Sequence, residues 1–129
     1  MVKSVLVVDD EVGARESLRM ILKTDYTVFL AKDAEEATLQ IREHSPDVIL
    51  LDIEIPTKGG LEFCRELKSK DHLKHIPVIF LTIRTEEMNK VVALDLGGDD
   101  FITKPFGHKE LIARIKVCLR RLGEKKGML

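Results

Sequence analysis

Short apolar runs of four or five residues alternate along this chain with segments whose apolar positions recur at helical spacing. That alternation marks repeated strand and helix units, because a parallel strand needs a crossover of helical length before the next can pair beside it. Five units are legible. Their strands run from about Ser4 to Val8, Thr27 to Ala31, Asp47 to Leu51, Pro77 to Leu81 and Asp100 to Thr103, stretches too short for buried helices.

The helical segments have their own punctuation. The first carries Ala14, Leu18, Ile21 and Leu22 on one face. The second opens on Asp33 with Glu36 three residues later, a spacing at which the two side chains satisfy amides left unpaired at a helix start, and Ala37 and Ile41 then face inward. The third follows Gly59-Gly60 and turns Leu61, Cys64 and Leu67 to the core. The fourth is expected from near Thr85, with Glu86 and Glu87 where the helix dipole favours anions, to Gly97-Gly98. The fifth has the strongest period: Leu111, Ile112, Ile115, Leu119 and Leu122. Right-handed crossovers place helices on both faces, and the common five-stranded order is 2-1-3-4-5. The expected fold is therefore α/β, a single doubly wound (βα)5 domain with a parallel, flavodoxin-like sheet over residues 1–122, and 123–129 as a tail or the start of a linker.

Composition narrows the function without naming it. A chain of 129 residues, 44% of them hydrophobic, can bury one sizeable core. Its 21 basic and 22 acidic side chains cancel to a net charge of −1, so no global field recruits nucleic acid or an anionic membrane. The apolar runs are too short to span a bilayer, and Met1-Val2-Lys3 leads straight into a strand rather than a secretion signal, which predicts a cytoplasmic protein. Cys64 and Cys118 fall in helical patterns without paired spacing and read as reduced thiols. His72 and His75 lie among Asp71 and Lys74 in a solvated loop, not a metal site.

Chemistry gathers at the strand ends. Asp9-Asp10 follows the first strand, Asp52 the third, Thr82 the fourth and Lys104-Pro105 the fifth. In a sheet of order 2-1-3-4-5 those ends open on one edge, with a crevice between strands one and three. Three carboxylates held together repel, so one should titrate high unless a cation intervenes. Oxygen donors without cysteine or histidine favour a hard ion such as Mg2+. One carboxylate could then attack a phosphoryl group whose oxygens Lys104 and Thr82 hold, giving an aspartyl phosphate. Each marker alone fits a turn or a helix cap, but together on four strands they converge on a site.

These residues carry a resemblance. Val7-Val8-Asp9-Asp10-Glu11, Asp52 followed by Pro56 and Gly59-Gly60, Ile76-Pro77-Val78-Ile79 leading to Thr82, and Asp99-Asp100-Phe101-Ile102-Thr103-Lys104-Pro105-Phe106 resemble the receiver domain of bacterial response regulators over residues 3–122. The resemblance implies Asp52 as phosphoacceptor, Asp10 as a direct Mg2+ ligand, Asp9 as a ligand mainly through water, and the Glu54 backbone carbonyl as the third protein ligand. It implies Lys104 and Thr82 as binders of the phosphoryl group, Phe101 as the aromatic switch, and Pro105 as a proline commonly preceded by a cis bond. The implied partners are a sensor histidine kinase, an output domain or downstream protein on the fourth-helix, fifth-strand and fifth-helix surface, and a homodimer formed on phosphorylation. Such a receiver catalyses its own phosphorylation and dephosphorylation rather than turning over a metabolite. Phe101 lacks a tyrosine hydroxyl, Ile83 stands where small residues are usual, and Glu54 and Arg84 flank the site with opposite charges that suggest a pair.

Two rival classes share parts of this set. A phosphatase like the haloacid-dehalogenase enzymes places its nucleophile after the first strand in an Asp-x-Asp motif, whereas here the acidic pair comes first and Asp52-Ile53-Glu54 follows the third. A flavodoxin-like cofactor carrier needs a Gly-rich or hydroxyl-rich loop after the first strand to cradle a phosphate, and Asp9-Asp10-Glu11 is neither.

Overall fold

A computed structural model describes residues 2–83, 94–95 and 97–127 of the chain, with side chains up to residue 122. The described strands form one parallel sheet in the order β2-β1-β3-β4-β5: β1 (Ser4–Val8), β2 (Thr27–Ala31), β3 (Val48–Asp52), β4 (Val78–Thr82) and β5 (Asp100–Thr103). The expected α/β fold and strand order are both present. Helices α1 (Val12–Leu22), α2 (Ala34–His44) and α3 (Gly60–Lys68) and a C-terminal helix (His108–Gly127) cover the two faces.

Alternation along the strands divides the core into two layers. Leu6, Val8, Ile49, Leu51, Val78 and Phe80 point to the α2 and α3 side, where Ala37, Ile41, Phe63, Cys64 and Leu67 meet them. Val5, Val7, Val48, Leu50, Ile79 and Leu81 point the other way, against Leu18 and Leu22 of α1 and Leu111, Ile115 and Cys118 of the C-terminal helix. Every residue of β3 and β4 is buried, so these two strands form the apolar centre that fixes where their last residues, Asp52 and Thr82, come to lie.

Differences from the expected pattern are local. β3 and β4 each begin and end one residue later than anticipated. Asp47 precedes β3, its carboxylate accepting from the Ser4 amide at 2.8 Å and its own amide donating to the Ser4 carbonyl at 3.0 Å, and Asp52 joins the ladder opposite Leu81. In α3 Phe63 takes a core position, while Leu61 is only half-buried against the cluster. The expected start of the fourth helix lies outside the described residues. At its end Leu94 and Asp95 are helical, and Gly97 follows at φ +96°, a left-handed conformation that suits a helix terminus. The C-terminal helix continues past Leu122 to Gly127, through a Glu-Lys-Lys stretch of good helix formers. The Asp33 and Glu36 spacing acts as anticipated: the Glu36 amide donates to Asp33 Oδ1 at 2.8 Å, and the Glu36 carboxylate reaches back to the Lys32 amide at 2.9 Å.

Cys64 and Cys118 are buried on opposite faces of the sheet and form no disulfide. Burial pushes each thiol up to about 11, leaving about one thiolate in a thousand at pH 8. Iodoacetamide should therefore alkylate neither in the native protein at that pH, while both react after unfolding in urea; native reaction at the unfolded rate would contradict the packing.

Candidate functional site

The carboxyl ends of β1, β3 and β5 bring three carboxylates and an ammonium together. Asp9 is fully buried just beyond β1. Its amide donates to the Ala31 carbonyl at 3.0 Å, extending the ladder by one residue, and its Oδ1 accepts from the Glu11 amide at 3.0 Å. Asp10, next in the chain, is exposed. Asp52 is 8% exposed, and its Oδ1 accepts from the Glu54 amide at 2.8 Å, the same side-chain turn that Asp9 makes. Lys104 spans the two buried acids: its Nζ donates to Asp9 Oδ2 at 2.8 Å and to Asp52 Oδ2 at 3.3 Å.

One ammonium between two buried carboxylates leaves the negative charge undercompensated. The Asp52 carboxyl is raised above its ordinary value, chiefly because burial disfavours its charge; the Glu54 amide and Lys104 pull the other way and do not prevail. For Lys104 burial acts downward, but the bond to Asp9 and the charge of Asp52 outweigh it and the net shift is upward. Carboxylate oxygens of Asp9, Asp10 and Asp52 lie within 4.8 Å of one another. That span, with only hard oxygen donors, fits a single hard divalent cation.

The remaining expected residues line the same edge or lead away from it. Thr82 is buried at the last position of β4, opposite Thr103, and the Lys104 amide donates to its carbonyl at 2.7 Å. Glu54 is exposed beyond Asp52, and Ile83 is 65% exposed; Arg84 lies outside the described residues. Phe101 lies in β5, three residues before Lys104. It pairs with Phe80 across the β4 and β5 ladder and packs half-buried against the core layer of α2 and α3. The peptide bond between Lys104 and Pro105 is cis.

A family model of the response regulator receiver domain matches residues 5–116. This chain belongs to that family. The receiver is similar to the signal receiver domain of a signal transduction histidine kinase from Syntrophus aciditrophicus, with 35% identity, coverage of 92% of this chain and 90% of that one, and a TM-score of 0.84. It is similar to NtrX from Brucella abortus at 30% identity, covering 99% of this chain and 29% of that longer one, with a TM-score of 0.91. The chemotaxis response regulator CheY4 of Vibrio cholerae matches at 27% identity over 92% of this chain and 99% of that one, with a TM-score of 0.85.

Two contacts that shape the receiver's site, made by Arg15 and Gly60, were not anticipated. Arg15 reaches back from α1 to donate to the Asp9 carbonyl at 2.7 Å. Its signal was a cation in the first turn of a helix, where the dipole disfavours one, which points to a partner outside the helix. Gly60 passes so close to β3 that a Cβ there would collide with the Asp52 carbonyl and the Ile53 Cα, while its amide donates to the Ile53 carbonyl at 2.8 Å. Gly13, in contrast, has open space around it.

Gly60→Ala should therefore cost about 1–3 kcal/mol in urea denaturation, as overpacking against rigid backbone does, whereas Gly13→Ala should be neutral or stabilise by up to about 1 kcal/mol. Equal effects would show that the close approach is not enforced. A raised native carboxyl binds more protons than the unfolded one, so the Asp52 contribution is favourable at low pH and lost as pH rises from about 3.8 through the raised native value. In metal-free buffer at pH 7, Asp52→Asn should then raise Tm and weaken the stabilisation by added Mg2+; a lower Tm without metal would contradict the electrostatic account.

Proposed function

We propose that this receiver accepts a phosphoryl group on Asp52 from the phosphohistidine of a sensor histidine kinase, and relays the change to an output domain or downstream protein. The observation that carries the reading is the one set of contacts uniting Asp9, Asp10, Asp52 and Lys104 at the sheet edge. A carboxylate oxygen of Asp52 attacks phosphorus, the bond from phosphorus to the imidazole nitrogen of the donor breaks, and the product is an acyl phosphate. Asp9, Asp10, Asp52 and the Glu54 backbone carbonyl would hold Mg2+, which supplies positive charge for the phosphoryl oxygens. Lys104 neutralises those oxygens from its place between Asp9 and Asp52, and the Thr82 hydroxyl, one strand away, binds one of them. Hydrolysis of the acyl phosphate by water restores Asp52.

A protein donor is favoured by the surface beside the site. Ile83, just beyond β4, is a large apolar side chain left 65% exposed. With Leu18, Ile21, Lys104 and Phe106 it lines a cleft of about 350 Å3. The output surface comprises the fourth helix, β5 and the C-terminal helix, with Thr82, Phe101 and Pro105 as the switch. Arg114 supports treating the last two as one unit, since it forks onto both oxygens of Asp100 in β5 at 2.9 and 3.0 Å. A homodimer formed on phosphorylation would use that surface. No described helix is long and apolar enough to cross a membrane, and a cytoplasmic site of action fits a kinase partner.

Acetyl phosphate with Mg2+ should add one phosphoryl group by intact mass, and Asp52→Asn should abolish the addition. Asp10→Ala should weaken Mg2+ binding by calorimetry. Lys104→Ala should leave that binding largely intact while removing the amide-exchange changes that beryllofluoride induces in β5 and the C-terminal helix. Equal labelling of the Asp52 variant, or a full exchange response in the Lys104 variant, would overturn these assignments.

A further inference from the structure

A groove between α2 and α3 is not used by any of this chemistry. Its main cleft, of about 520 Å3, has an apolar floor to which the buried Ile41, Phe63 and Leu67 contribute. Its walls carry Arg42 from α2, Lys58 from the loop before α3 and Lys70 just beyond α3. Glu66 is the one carboxylate among its lining residues, and Lys58 already holds it at 2.6 Å. Arg42 and Lys70 have no ion-pair partner among the described residues. The helix C-termini at this end carry about half a negative charge each, which the two unpaired cations, Arg42 and Lys70, outweigh.

A second cleft of about 470 Å3 shares Thr38, Arg42 and Lys58 with the first and extends the groove past Leu39, 48% exposed, to Pro56 and Thr57. Asp33 and Glu35 stand at this other end, so the groove is polarised along its length. The chain as a whole has a net charge of −1, and the positive end is therefore a local departure from a balanced surface. An apolar floor between uncommitted cations is complementary to a segment that alternates apolar anchors with carboxylates.

We propose that the α2 and α3 groove docks an acidic amphipathic segment of a partner protein. An apolar side chain sits over Ile41, Phe63 and Leu67, and carboxylates face Arg42 and Lys70. The proposal stands apart from the phosphoryl reading, and its test requires no phosphorylation.

The probe is a helical peptide with leucine at i, i+3 and i+4 and glutamate at most other positions, titrated into 15N-labelled protein at low salt. Amide shifts should saturate and concentrate in residues 38–45 and 58–73. Arg42→Glu combined with Lys70→Glu should weaken binding by about tenfold or more with only a small drop in Tm, as an acid in the last turn of α2 entails, and the milder Arg42→Gln, Lys70→Gln pair should do so less. Equal binding of a lysine and leucine peptide, reproduction of the shifts by inorganic phosphate, or no shift in these residues would overturn the proposal. The same shifts on concentrating the protein alone would overturn it too, naming a second copy as the occupant.

Discussion

Two buried carboxylates share one ammonium at the carboxyl edge of the sheet, and the rest of the molecule is arranged around that imbalance. Asp9 has no exposure and Asp52 only 8%, yet Lys104 is the one cation within ion-pair distance of both among the described residues. Burying ionised groups is costly unless they are paired and hydrogen-bonded. Here the pairing is incomplete, and the raised Asp52 carboxyl expresses the shortfall. Under-paired buried acids are costly to stability, and together with Asp10 they form a cluster that could hold a metal ion.

The sheet makes the imbalance possible by fixing geometry. Parallel strands present all their carboxyl ends on one side, and the fully buried β3 and β4 hold Asp52 and Thr82 in register with their neighbours. The ends are then secured individually. Arg15 grips the Asp9 carbonyl, the Glu11 and Glu54 amides orient the two buried carboxylates, and Gly60 lets α3 start against the backbone of β3. These contacts hold like charges close enough to share one cation.

Much of this was legible in the sequence, for identifiable reasons. Parallel strands covered on both faces are apolar throughout, so runs such as Val48-Ile49-Leu50-Leu51 declare themselves. The same rule ended β3 and β4 one residue early, because their last residues are polar ones, Asp52 and Thr82, that remain in the ladder. The polar markers at the strand ends pointed to the cluster that the structure assembles. What could not be read was tertiary. Asp9 and Asp10 are identical in type and adjacent, yet one is buried and the other exposed. The contact of Arg15 and the crowding at Gly60 depend on how closely a helix approaches a strand, which periodicity does not encode. The groove between α2 and α3 likewise emerges only when residues from two helices and two loops are brought side by side.

The central claim is that the undercompensated carboxylate, Asp52, is the group that takes the phosphoryl. Borohydride reduction of the acetyl phosphate-treated protein, followed by peptide mapping, tests it most directly, because an aspartyl phosphate is reduced to homoserine at the modified position. The account predicts homoserine at position 52 alone, formed only with a divalent cation present. Homoserine at Asp9 or Asp10, or an acid-stable phosphate on a hydroxyl residue with Asp52 untouched, would contradict it.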